Sequence, residues 1–291
     1  PDPGHNGMIH YTAGPERAQQ PLPTEPFHCY TFEDGRTWTE FHRRGDGYLL
    51  RFPDLADFTV SRDGESVVSY PATGTDEVTV EHLYVNQLVP LALSRQGRPA
   101  FHASVVTIPG GAVAFLGRSG MGKSTLAASF ALEDAAFLTD DALLIDESEG
   151  VRAVPSHASL RLWRDSVDAL IPDGTPKAGA ISYSDKARLL AGDALRYADE
   201  PTPLLAAYVL EPQDVESIII EPLAGTERQM AWVSNSFLLD IKDQDLLARH
   251  FDWTHRIASQ VPTFRLDYPR DYGMLSVVRD AVRRHVQSLG N

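Results

Sequence analysis

Gly117-Arg118-Ser119-Gly120-Met121-Gly122-Lys123-Ser124 decides how this chain of 291 residues is read. The stretch satisfies G-x-x-x-x-G-K-[ST], the pattern of a loop that cradles phosphates. Its spacing has a mechanical reason. Glycines let the backbone turn tightly, so successive N–H groups point into one concavity. A helix that starts at once adds its free N–H groups and the positive end of its dipole. Lys123 is then placed to reach the β- and γ-phosphates, and the Ser124 hydroxyl to ligate Mg²⁺. The expected nucleotide contacts run from Gly117 through Thr125, with ATP and Mg²⁺ as the expected ligands.

The flanks suit such a loop. Residues 101–108 and 112–116 are short apolar strands joined by Pro109-Gly110-Gly111, a hairpin-type turn. Residues 125–132 are alanine-rich and helical, while 135–138 and 142–145 read as strands. Strand, loop, helix, strand is the texture of an α/β layer. Further strands are expected at 204–210 and 217–221, and helices at 243–260 and 274–288. Upstream, residues 27–80 break into short alternating segments. Tyr48-Leu49-Leu50-Arg51-Phe52 and Val78-Thr79-Val80 are examples, punctuated by Asp34-Gly35 and Thr73-Gly74. A helix over 81–95 follows, kinked or restarted at Pro90. Residues 1–26 read as a polar, proline-rich tail or loop, with 1–7 a remnant ahead of Met8. The expectation is therefore an α/β chain in two parts. Residues 27–98 form a smaller β-rich N-terminal domain ending in a helix, and 99–291 form the P-loop domain.

Composition narrows the function classes. Apolar residues make up 43% and charged residues 23%, which supplies a sizeable core without a disulfide or metal staple. The single cysteine, Cys29, excludes an intramolecular disulfide and a cysteine-rich metal site. It is expected to pack as a small hydrophobe, in a reducing compartment. A formal net charge of −14 argues against duplex nucleic acid as a partner. No apolar run approaches the length of a membrane span, and no signal peptide is read at the start. The expected address is the cytoplasm. The oligomeric state is left open, a homo-oligomer included.

Two further features sit near the loop. Phe137-Leu138-Thr139-Asp140-Asp141 ends an apolar strand with two acids. A triphosphate site needs a strand-end carboxylate for Mg²⁺, and a kinase needs a base for the acceptor hydroxyl; paired acids can divide these roles. The bland alternative is a solvated turn with an N-cap Asp. Phe101-His102-Ala103-Ser104 places a histidine on the strand before the loop strand, where a lone histidine is more often a satisfied core residue.

Taken together, His102, Gly117 to Ser124 and Asp140-Asp141 resemble, in order and interval, the HPr kinase/phosphorylase family, related in fold to phosphoenolpyruvate carboxykinase. The resemblance is specific across 101–145 and weaker beyond. It implies an HPr-kinase-like P-loop core and a serine kinase of a peptide or protein. It also implies Asp140 as the base that deprotonates the acceptor serine, His102 as the group that orients Asp140, and Asp141 as a group near Mg²⁺ or the loop, with Ser124 as the other metal ligand. The chain departs from the bifunctional members. Thr125 stands where those members carry Glu, and their glutamate-containing signature after the acid pair is missing. Pro155 to Trp163 stands at a comparable place, which puts the phosphorylase reaction in doubt. The N-terminal β-rich part, His102-Ala103-Ser104 and Leu160-Arg161-Leu162-Trp163 look closer to HPr-kinase-like enzymes of lasso-peptide biosynthesis, which phosphorylate a precursor peptide at its C-terminal serine.

Among other cations, Lys186 and Arg188 follow the Gly- and Pro-bearing stretch 172–184, read as a mobile loop. They are candidates for stabilising transition-state charge, against the alternative of a solvated helix start. Arg161 is a second candidate, its alternative a surface ion pair. Arg265 and Arg270 read as structural, and His157, His250 and His255 as surface residues without a metal pattern. Three rival functions remain open: a nucleotide-binding regulatory module without transfer, an ATP hydrolase, and a small-molecule kinase.

Overall fold

The computed structural model describes residues 8–32, 34–211 and 214–290. It is a mixed α/β structure with several sheets. Contacts divide it into two units. One holds the described residues up to Pro99 together with Ala180–Ser184 and Phe237–His250, and the other holds the rest. The sequence reading cuts once, between 98 and 99; here two later stretches join the N-terminal unit.

The first unit is built on strands β1 (His10–Ala13), β2 (His28–Thr31), β3 (Thr37–Arg44), β4 (Gly47–Phe52), β5 (Ala56–Val60) and β6 (Ser66–Pro71). They form one sheet in the order β1-β6-β5-β4-β3-β2. All neighbours are antiparallel except β1, which runs parallel to β6. Residues 10–13, expected as tail, are thus an edge strand. All four are exposed; pairing with β6 holds them, helped by Tyr11, which bonds Ser69 at 2.8 Å and packs on the Tyr84 ring, and no apolar alternation announces the strand. Cys29 is exposed as well, because β2 is the opposite edge; it does not pack as a small hydrophobe.

Val78-Thr79-Val80 is helical rather than extended. Asp76 caps α1 (Glu77–Leu83) by accepting from the Thr79 N–H at 2.8 Å, and that cap outweighs the β-branched preference of three residues. The expected helix over 81–95 is in fact α1, a π-helical turn (Tyr84–Leu88) and α2 (Val89–Arg95). Pro90 lies in the first turn of α2, directly after the π-helical turn, the kind of local widening that accompanies an interrupted ladder in a continuous helix. Leu83, Leu88 and Leu91 bury against Phe41, Leu50, Phe52 and Phe58 of the sheet.

A buried carboxylate pins the polar stretch after β1. Asp57 accepts from Arg51 at 2.8 and 2.9 Å and from Gln19 at 2.9 Å; its side chain is 3% exposed and that of Arg51 12%. Stripping such a charge of a main partner costs about 3 kcal/mol. Arg51→Leu is expected to lower the unfolding free energy by about that amount in urea titration, with Asp57→Leu in the same chain recovering most of it. A loss under about 1 kcal/mol, the scale of an exposed ion pair, would show that Gln19 and Arg17, whose NH2 lies 3.4 Å from Asp57 Oδ2, suffice.

The second unit carries β7 (Ala100–Phe101), β8 (Ala103–Ile108), β9 (Gly111–Leu116), α3 (Lys123–Ala131), β10 (Ala136–Thr139), β11 (Leu143–Asp146), β12 (Arg152–Val154), β13 (Ser159–Leu162), α4 (Arg164–Leu170), β14 (Ala187–Leu190), β15 (Thr202–Val209), β16 (Ile219–Pro222) and α5 (Gly225–Ser234). Helix α6 (Gln244–Gln260), β17 (Thr263–Asp267) and α7 (Leu275–Leu289) complete the chain. The main sheet runs β10-β8-β9-β15-β12-β11-β7, with β17 joined to β15 and β16 to β17. Within it β9, β15 and β17 are parallel, pairing Leu116 with Val209 and Val209 with Arg265. Their carboxyl ends therefore share one edge, the edge at which open α/β sheets take ligands. One apolar cluster joins Phe115, Phe130, Phe137 and Tyr208 with α7. A second gathers Phe101, Leu138, Trp232 and Ile257.

Candidate functional site

Residues 117–122 leave the carboxyl end of β9 and run straight into α3. The φ angle is positive at all three of its glycines, Gly117, Gly120 and Gly122, a backbone that favours glycine. Gly117 has φ +143°, and a Cβ on it would lie 2.6 Å from the Leu210 carbonyl oxygen. Gly122, at φ +85°, is the residue from which α3 starts. Asn235 closes the loop's base, its Oδ1 accepting from the Gly117 N–H at 3.0 Å, while its main-chain oxygen accepts from the His102 N–H at 2.6 Å. One residue so ties the loop to the neighbouring strand.

Lys123 is buried. Its ammonium folds back and donates to the carbonyls of Gly117 (2.7 Å) and Arg118 (3.0 Å). Burial pulls its pKa from the ordinary 10.5 to about 8, against the pull of Asp141 and Asp140. Ser124 and Thr125 diverge, as neighbours on a helix must: Ser124 Oγ donates to Asp140 Oδ1 at 2.8 Å, while Thr125 Oγ1 lies 3.0 Å from Ser166 Oγ.

The two acids have different surroundings. Asp140 directly follows β10, buried, with three donors on it: Ser104 Oγ (2.5 Å) and Ser124 Oγ on Oδ1, and the Arg161 main-chain N–H (2.9 Å) on Oδ2. Burial and the adjacent Asp141 charge push its pKa up, against those bonds. Asp141 sits at φ +68° and faces a cavity of about 630 Å³. Burial works to raise its pKa, but His102 when protonated, with Lys186, Arg161 and Lys123, outweighs that and holds it low. Arg161 NH1 is 3.7 Å from its Oδ2. Burial and Lys123 lower His102 to about 4, so at neutral pH the ring is uncharged and the cations about Asp141 are Lys186, Arg161 and Lys123.

The structure brings His102, Ser119 to Thr125, Asp141 and Lys186 to this one cavity. Arg118 is exposed and outside the lining. Asp140 stands behind it, through Ser124. The sequence reading joins His102 to Asp140; instead His102 Nδ1 is 3.1 Å from the Asp141 main-chain oxygen. Lys186 lies ahead of β14 rather than at a helix start, with its ammonium 5.3 Å from the Trp163 ring centre. Arg188, on β14, is not part of the lining; its Nε donates to Ser159 Oγ at 3.2 Å. Pairing of β13 with β14 sets Arg161 opposite Arg188.

Several site residues escape the sequence reading. Arg270, expected as structural, lines the cavity and stacks on Tyr268 at 4.1 Å. Tyr272, Asp165 and Ser166 line it too. Ser104 was in view in the 101–104 string, but nothing in one sequence marks it as the partner of Asp140. Arg265 is structural as expected, paired with Glu211, Glu221 and Glu227. His250 is buried rather than on the surface, and burial lowers its pKa.

Among the described residues no group of three or more His, Cys, Asp or Glu could hold a metal by itself. The chemistry of the donors still fits Mg²⁺ bound with a nucleotide, which needs only one or two protein oxygens beside phosphates; Ser124 and the pair Asp140-Asp141 carry oxygens of that kind. No helix among the described residues is long and apolar enough to cross a membrane.

No family model matches the chain, and no curated protein matches it. Among solved structures it is similar to the Hpr(Ser) kinase/phosphatase from Coxiella burnetii, at 12% identity across 55% of this chain and 97% of that chain. The TM-score is 0.27, and a likeness that weak carries no argument.

Proposed function

We propose that the chain is an ATP-dependent phosphotransferase that moves the γ-phosphoryl group of ATP to a serine hydroxyl of a peptide or protein. The observation that carries this reading is the convergence on one cavity of a glycine-rich loop, Lys123 and Ser124 at a helix start, and a carboxylate, Asp141, ringed by Lys186 and Arg161. Loop N–H groups and Lys123 hold the phosphates. Mg²⁺, when bound, offsets phosphate charge and would be held by Ser124 and Asp140.

Access divides the acids differently from the family expectation. Both oxygens of Asp140 are engaged and one shares Ser124, which suits the metal side. Asp141 faces the cavity, and a base is chosen by reach before pKa. We assign it the acceptor proton, with His102 holding its main chain in place. The cations that keep Asp141 acidic are the ones a triphosphate would engage, so nucleotide binding raises its basicity. Lys186 and Arg161 then offset charge on the moving phosphoryl group.

Serine as acceptor, and the C-terminal serine of a lasso-peptide precursor as its narrower form, rest on the sequence resemblance over 101–145 and 160–163. A cytoplasmic address goes with ATP use and a lone cysteine. The test is incubation with γ-labelled ATP and serine-bearing peptides, each paired with its alanine counterpart. Label on the serine peptides alone is the expected result. Release of free phosphate at an unchanged rate with or without peptide would make the protein a hydrolase, and no turnover of bound ATP would make it a binding module.

A further inference from the structure

The cavity does not end at the phosphate loop. Ser124 points to the Asp140 side, with Lys186 and Arg161 beyond it. Thr125 points the other way, into a row of hydroxyls. Thr125 Oγ1 is 3.0 Å from Ser166 Oγ, Ser166 Oγ is 3.1 Å from the Tyr272 hydroxyl, and that hydroxyl donates to Asp165 Oδ2 at 2.9 Å. Proton counting gives the row a direction. Tyr272 spends its one proton on Asp165, so its oxygen accepts from Ser166, and Ser166 in turn accepts from Thr125. The chain terminates on a carboxylate at the cavity wall, held by Oδ2, which leaves Oδ1 as an acceptor. Tyr272 itself is 38% exposed and lines the cavity with Leu275, an apolar and aromatic surface beside that carboxylate.

A triphosphate repels carboxylates, so its phosphates belong with Lys123, Arg161 and Lys186. The remaining volume past Thr125 offers what a nucleoside needs: a ring face for stacking and a fixed carboxylate acceptor for vicinal hydroxyls. We propose that Asp165 and Tyr272 form the nucleoside end of the cavity, with Asp165 accepting from the ribose hydroxyls and the Tyr272 ring against the base. This rests on the phosphate-binding reading of 117–124, and it adds a direction and a specificity to it: ribonucleotides are preferred over deoxyribonucleotides.

The test is calorimetric binding of ATP, 2′-deoxy-ATP and inorganic tripolyphosphate, each with Mg²⁺, to the full chain and to Asp165→Asn, Tyr272→Phe and Lys123→Ala. ATP is expected to bind the native chain about tenfold tighter than 2′-deoxy-ATP, one lost hydrogen bond to a charged group. Asp165→Asn should erase that preference and Tyr272→Phe, which keeps the ring but releases Asp165 from its hydroxyl, should reduce it, both leaving tripolyphosphate affinity unchanged, while Lys123→Ala weakens all three ligands. Equal losses for ATP and tripolyphosphate in the Asp165 and Tyr272 variants would mean that these residues only support the loop, and would overturn the proposal. So would native ATP affinity in both. Tripolyphosphate bound as well as ATP by the native chain would overturn the nucleoside end while sparing the phosphate site. Binding of neither ligand would overturn both.

Discussion

Asp141→Asn folds, binds ATP with native affinity, and transfers phosphoryl groups about 10²–10⁴-fold more slowly, the usual contribution of a positioned base. The amide that replaces the carboxylate keeps an oxygen for Arg161 at the cavity. Asp140→Asn is expected to behave differently. Three donors converge on Asp140 from Ser104, Ser124 and the Arg161 N–H, and an amide has a single acceptor oxygen. With that oxygen toward Arg161, the NH₂ faces two hydroxyls that must both turn away. Turned the other way, NH₂ meets N–H. Each buried group left unpaired costs about 1–3 kcal/mol, so this variant loses stability as well as activity. Single-turnover transfer from labelled ATP, read beside urea unfolding of both variants, separates the two roles. A native transfer rate in Asp141→Asn would return the base assignment to Asp140.

Lys123→Ala should weaken Mg·ATP about 100-fold in calorimetry, from two charge-assisted bonds of about 1.5 kcal/mol each. A companion effect needs no nucleotide. Burial holds the ammonium at about 8 in the folded chain against 10.5 when unfolded. Between those values the unfolded chain binds the extra proton, so the Lys123 contribution to stability rises with pH across that window. Lys123→Met should remove that rise in the difference between the two stability curves. Nucleotide charge favours the protonated form, so native ATP affinity should fall above about pH 8. Unchanged ATP affinity in Lys123→Ala would displace the γ-phosphate from the loop, and coincident stability curves would mean that the ammonium is not desolvated.

What the sequence made legible is what local mechanics demands. The 117–125 loop and helix must have glycine, lysine and hydroxyl at fixed spacing, and the acid pair must close a strand. The 27–80 segment showed its strands where apolar residues recur at period two. Where one cap or one edge decides, it misled: Asp76 turned 78–80 into helix, and pairing with β6 made the exposed residues 10–13 a strand. The wall from Tyr268 to Tyr272 was out of reach for another reason. It meets the loop because β17 lies beside β15, which lies beside β9, and strand order is a property of the whole sheet. Ser166 and Asn235 likewise act through neighbours more than 40 residues away.

Asp141 holds a left-handed backbone, φ +68°, which costs a side-chain-bearing residue on the order of 1 kcal/mol and glycine nothing. The turn alone would favour glycine, but the charge does not: Asp141 neutralises Lys186, Arg161 and Lys123, and a carboxylate held acidic by its neighbours stabilises the fold at neutral pH. Laboratory selection for heat resistance alone would therefore keep the aspartate as firmly as selection for turnover, and the unfavourable turn is a standing cost that both would carry.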